Sequence, residues 1–148
     1  MVASIDLVTM KLPLVLVLGG ACVLPLRAAD EPPREWIDPD TGHRIVRLSD
    51  EPGTSSLYFT QNAYSLDGRK IVVTTRDGIA TIELTSRKQE TVVAGRVRVI
   101  VVGRRTGDVY YSKQEAEGTR LFATNLATKA TRSLALLKRG DVTTVNAD

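Results

Sequence analysis

A chain of 148 residues is long enough for one domain of ordinary size and no more. With 43% hydrophobic and 25% charged residues it lies in the globular range, which excludes wholesale disorder. The net charge of +3 comes without a run of basic residues, so a nucleic acid is not an expected partner.

The N-terminus reads as an export signal. From Met10, Lys11 supplies a positive start, residues 12–24 an apolar stretch, and Arg27-Ala28-Ala29 a small-residue exit. The segment before Met10 holds Asp6 and no basic residue, which makes Met10 an alternative start. Gly19, Gly20 and Pro25 interrupt the apolar run and leave it short of the ~20 residues a membrane span requires. A cleaved signal over residues 1–29 is therefore expected, with a periplasmic or secreted product and no membrane span after cleavage. Cys22 follows small residues, but the apolar run continues through Val23, Leu24 and Leu26 where a lipoprotein would turn polar, so lipidation is the less favoured reading. Cleavage also removes the sole cysteine, and with it any disulfide framework.

Residues 30–34 (DEPPR) read as a linker, because Pro32 and Pro33 oppose regular structure. Next, Asp38-Pro39-Asp40-Thr41-Gly42 marks a turn between two short extended pieces. The second piece, from His43, puts Ile45 with Arg47 on one face and Val46 with Leu48 on the other, a strand without a clean polar side. Glu51-Pro52-Gly53 ends it. Residues 56–75 (SLYFTQNAYSLDGRKIVVTT) then predict an apolar-aromatic strand, the polar pair Gln61-Asn62, a turn at Asp67-Gly68 and a β-branched strand over residues 70–75.

From there the chain repeats. One unit predicts strands over residues 70–75, 79–84 and 90–93, with turns at Asp77-Gly78 and near Ser86-Arg87. A second places Thr106-Gly107 before strands at residues 108–111, 121–126 and 131–136. Ile71 falls 38 positions before Val109, and Glu83 falls 42 before Asn125; a longer turn at residues 114–118 is expected to absorb the drift of four. A period of about 40 residues with four short strands per unit is the signature of a β-propeller blade. The fold class expected is thus all-β, a partial β-propeller over residues 35–148, incomplete, with about two four-stranded blades. An N-terminal closing strand joins them, and residues 140–148 (GDVTTVNAD) form the start of a third blade. Two blades and a fragment cannot close a ring that needs roughly four to eight. The β-prone stretch 97–103 (VRVIVVG) would then be an exposed flank, and the expected whole is a longer protein of which this is the first third.

The wording itself resembles a known family. The stretch WIDPDTGHRIVRLSDEPGTSSLYFTQNAYSLDGRKIVVTT, then DGIATIEL and DVTTVNAD, is similar to the N-terminal part of the oligogalacturonate lyase family, over nearly all of residues 35–148. The resemblance implies a seven-bladed propeller related to TolB-type propellers, acting on pectin oligomers by β-elimination. It implies a divalent metal, with manganese the expected ion, held in the full-length family by histidines and a glutamine of later blades. His43 is the one histidine here, so the chain itself is expected to supply no catalytic residue and no metal ligand, and to bind no cofactor. As a free chain it is expected to be inactive, with the missing blades and, in the full-length protein, oligogalacturonate as partners. The rival readings are a non-enzymatic TolB-type periplasmic binding or scaffold propeller and a non-functional truncated frame.

Gln61 and Asn62 are the candidate substrate-binding residues, since amides on an innermost strand can hydrogen-bond sugar hydroxyls; the alternative is that they satisfy backbone groups at a strand bend. The family often carries His where this chain has Thr60. His43 is expected to have a structural or surface role, and Asp38, Asp40 and Asp67 to cap their own turns. Arg96, Arg98, Arg104 and Arg105 either attract polyuronate through long-range charge or are solvated edge and turn residues.

Overall fold

The computed structural model of the chain describes residues 33–146, and every regular element within them is a strand. The export signal, its alternative start and Cys22 lie outside the described residues. Strands β1 (Glu35–Ile37) and β2 (Arg44–Val46) form a two-stranded antiparallel ribbon. Strands β3 (Ser55–Ser56), β4 (Lys70–Thr75), β5 (Gly78–Glu83) and β6 (Gln89–Ala94) form a first four-stranded meander. Strands β7 (Arg98–Val102), β8 (Asp108–Glu115), β9 (Gly118–Asn125) and β10 (Thr131–Leu137) form a second. All pairings are antiparallel, as short turns between consecutive strands require.

The two meanders share the same pairing at both ends of their central hairpins. Lys70 pairs across to Glu83 in the first and Asp108 to Asn125 in the second. The inner hairpin closes at Thr75–Gly78 in one and at Glu115–Gly118 in the other, each over two intervening residues. The expected longer turn at residues 114–118 is therefore not how the drift of four is absorbed. Instead β8 and β9 are eight residues each against six for β4 and β5, so two further cross-strand pairs lengthen the second hairpin.

Gly78 and Gly118 hold the same conformation, at φ +140° and +139°, and each sits against the backbone of the outermost strand. The turn into that strand is likewise shared, with Arg87 and Lys129 left-handed at φ 60° and 61°. A charge pair recurs with its sign reversed: Lys70 Nζ lies 3.4 Å from Glu90, while Arg132 Nη2 lies 2.6 Å from Asp108. The second pair is the stronger, because Asp108 is 3% exposed and its other oxygen accepts from Asn125 Nδ2 at 2.9 Å. The Lys70–Glu90 pair is open to solvent and contributes at most about 1 kcal/mol.

Strand alternation gives each sheet two apolar faces. Val72, Ile79, Val102, Val109, Tyr111 and Leu126 form the core between the meanders, and the Tyr111 and Phe122 rings stack at 5.5 Å. On the far face of the first sheet, Val73, Ala80 and Ile82 are covered by Ile71 and by Leu48 from the segment after the ribbon. On the far face of the second, Ile100, Tyr110, Leu121 and Ala123 are covered by Val101 and by Val142 and Val145 of the C-terminal segment. The central strands are thus buried on both sides, while the outermost strands β6 and β10 are largely exposed.

Thr81 lies on β5 with 1% exposure, and its hydroxyl has no hydrogen-bond partner among the described residues. An unpaired buried hydroxyl is a net cost. Thr81→Val, which keeps the shape and removes the polar atom, is expected to raise stability by about 1 kcal/mol in urea denaturation.

Three expectations are corrected. The apolar-aromatic strand predicted from residue 56 is confined to Ser55–Ser56, and Tyr58 and Phe59 lie beyond it in a turn. Residues 97–103 are not an exposed flank: Ile100 and Val102 of β7 are 2% and 1% exposed, one on each face of the sheet. Residues 141–146 carry no strand, because they lie as a covering over the second sheet through Val142 and Val145 instead of pairing along an edge. Beside these sheets, β2 pairs with β1, and Arg47 N–H continues that pairing to the Arg34 carbonyl at 2.8 Å.

Candidate functional site

Between β3 and the bridge Tyr64↔Ile71, the chain leaves the first sheet and returns to it. The excursion is a four-residue turn in which Gln61 N–H donates to the Tyr58 carbonyl at 2.8 Å. Gln61 also braces it from the side chain, since Oε1 accepts from Tyr58 N–H at 2.9 Å. Leu57 tucks into the inter-sheet core, which anchors one end. The tip then presents Tyr58 and Phe59 to solvent, 66% and 83% exposed, with ring centroids 4.4 Å apart.

The amides of Gln61 and Asn62 tie this turn to the second sheet. Gln61 Nε2 donates to the Ile100 carbonyl at 2.6 Å. Ile100 is the residue skipped by the register shift between Val99 and Val101, so the amide caps a carbonyl at an irregular point of the edge strand. Asn62 engages both backbone groups of Val102: its own carbonyl accepts from Val102 N–H at 3.0 Å, and Nδ2 donates to the Val102 carbonyl at 2.9 Å. The same Nδ2 reaches the Tyr64 carbonyl at 3.2 Å. The bend-satisfying role weighed from sequence is what these contacts describe, and it extends further than a bend, because the carbonyls belong to a different sheet.

A third link joins the sheets at their outer side, where Glu90 of β6 receives Lys129 at 3.2 Å as well as Lys70. The Lys129 ammonium, with Lys70 beside it, holds the Glu90 carboxyl below its ordinary pKa. Asp38 and Asp67 cap their turns as expected. Asp38 Oδ1 accepts from Thr41 Oγ1 at 2.8 Å and from the Thr41 and Asp40 N–H groups, and Ser65 Oγ donates to Asp67 Oδ1 at 2.7 Å. These bonds, the hydroxyl's first in each case, lower both carboxyls. Lowered folded pKa values contribute stability that is complete above the unfolded values and is lost as pH falls through the folded ones. Thermal melts at stepped pH should therefore be level above about pH 5 and decline progressively below about pH 4.

His43 is exposed just before β2, and its backbone closes the Asp38–His43 turn at 2.8 Å. Among the described residues no group of three His, Cys, Asp or Glu side chains could hold a metal ion. Nor is any helix of the described residues long and apolar enough to cross a membrane. Of the four arginines noted in the sequence, all are exposed, and Arg98 pairs with Asp141 at 2.9 Å and also donates to the Val142 carbonyl.

Sequence reading missed the outward aromatic pair, because Leu-Tyr-Phe is also how a buried strand reads. The following Thr-Gln-Asn was the available signal for a turn. Comparison with protein-family models, curated proteins and solved structures finds no match to this chain.

Proposed function

We propose that residues 33–146 are the opening sheets of a TolB-like β-propeller of the oligogalacturonate lyase type, exported to the periplasm or secreted, whose full-length form degrades pectin oligomers by β-elimination. The observation that carries the reading is the repeat itself. Two consecutive meanders share their strand order, the Gly78/Gly118 approach, the Arg87/Lys129 turn and an inter-sheet apolar core. Radially stacked, each sheet of a propeller buries its two faces against its neighbours. Apolar outer faces on both meanders are what that arrangement demands.

β-Elimination removes the proton beside a uronate carboxylate and leaves an enolate-like charge to be stabilised. The described residues hold no fitting metal set and are assigned no step in that chemistry. In this reading base and metal ligands belong to further sheets of the ring, and Gln61 and Asn62 serve the substrate side by holding the turn that presents Tyr58 and Phe59.

Incubating the chain with oligogalacturonate and manganese, and following the unsaturated product by ultraviolet absorbance, is expected to show no turnover. Metal-dependent turnover by this chain alone would overturn the assignment of the chemistry to other sheets. Sequencing the locus downstream of Asp148 is expected to reveal further 40-residue repeats with a His/Gln cluster, and repeats without such a cluster would favour a binding or scaffold propeller.

A further inference from the structure

A groove of about 510 Å³ runs along one end of the second sheet, between the approach to β7 and the closing end of the β8–β9 hairpin. Arg96, Arg98, Ser112 and Lys113 line it, and Asp141 reaches in from the C-terminal segment. Arg96 and Lys113 are exposed and form no ion pair or side-chain hydrogen bond among the described residues. Three cations in one concavity repel each other unless anions share it. Asp141 neutralises one of them, with Oδ2 2.9 Å from Arg98 Nη2. The chain has thus placed a carboxylate of its own in the groove and left two cations uncommitted.

We propose that this groove is a carboxylate-binding subsite for an acidic sugar oligomer, in which Asp141 is a tethered stand-in that competes with the ligand for Arg98. The inference rests on the polyuronate reading above and adds to it a location and a built-in competitor. Cations spread along a groove match single charges spaced along a chain better than one compact phosphate. The group already seated there is a carboxylate, for which a guanidinium offers paired donors.

The test titrates trigalacturonate into the whole chain by calorimetry, with neutral galactotriose and with citrate in parallel. Trigalacturonate should bind and galactotriose should not. Arg96→Gln combined with Lys113→Gln should weaken trigalacturonate roughly tenfold, and Asp141→Asn should strengthen it about two- to fivefold. All three positions are at the surface, and matching melting curves would confirm intact folding. Trigalacturonate binding that neither variant alters would overturn the groove and leave the functional reading standing. Citrate binding that follows the variants, with no binding of trigalacturonate, would overturn the sugar assignment together with that reading.

Discussion

Gly78→Ala and Gly118→Ala are each expected to cost about 4 kcal/mol or more, and to lower the melting temperature by about 15 °C or abolish cooperative melting altogether. At φ +140° and +139° an L side chain is strained before any neighbour is considered, a cost of about 1–3 kcal/mol. A methyl at Gly78 would then lie inside van der Waals contact of the Val93 carbonyl oxygen and 3.1 Å from that of Gly95. One at Gly118 would meet the Leu137 carbonyl in the same way. Carbonyls of a paired strand cannot swing aside as a side-chain tip does, so relief requires parting β5 from β6 or β9 from β10. Gly68→Ala is the control: that residue is left-handed at φ +67°, but a methyl there meets nothing within 4 Å, so only about 1 kcal/mol should be lost. Equal losses at Gly68 and Gly78 in thermal and urea melts would show that close backbone approach is not what Gly78 is for.

Asn62→Asp, a near-isosteric change, should cost about 2–4 kcal/mol. It exchanges a donor for an acceptor opposite two carbonyls, those of Val102 and Tyr64, where Asn62 Nδ2 now sits at 2.9 and 3.2 Å. Val102 is 1% exposed, so water cannot readily replace the lost bond. The Val102 N–H, which donates to the Asn62 carbonyl, reports on the seam directly: its hydrogen exchange should accelerate well before that of the β8–β9 hairpin. Loosening the seam also frees the edge of β7, whose Val-Ile-Val-Val run is prone to pair with other chains, so the variant should aggregate at lower temperature than the parent. Gln61→Ala should show the same pattern more weakly, because it unpairs the Ile100 carbonyl and the Tyr58 N–H, the second of them at an exposed turn open to water, and introduces no charge. Unchanged Val102 exchange in Asn62→Asp would show that the Asn62 side chain is not what holds this seam.

The hairpins were the most legible part of the chain. Residues 70–75 read as a strand and form β4 over that span, because Ile-Val-Val-Thr-Thr is rich in β-branched residues and bounded by Asp-Gly turns. The turn roles of Asp38 and Asp67 were legible for the same local reason, since an Asp carboxylate reaches hydrogen-bond donors only two or three residues away. Residues 114–118 were misread as a long turn because Gln-Glu-Ala-Glu-Gly has no β-branched or aromatic residue, and nothing local says that its first two residues still pair with Gly118 and Thr119. The site was legible in its residues but not in its contacts. Gln61 and Asn62 stood out as amides before a turn, yet their partners lie 39 and 40 residues away, at the bulge and edge of another strand.

From its residues alone this chain determined an all-β architecture, the 40-residue period and the turns that punctuate it, because β-branching, Asp-Gly chemistry and alternation act within a few neighbours. Tertiary structure alone decided that β7 is covered on both faces, that Tyr58 and Phe59 face outward, and that residues 141–146 cover a sheet instead of extending one. Each of those outcomes depends on which distant surface is within reach of a carbonyl or an apolar side chain, and no local pattern of residues carries that distance.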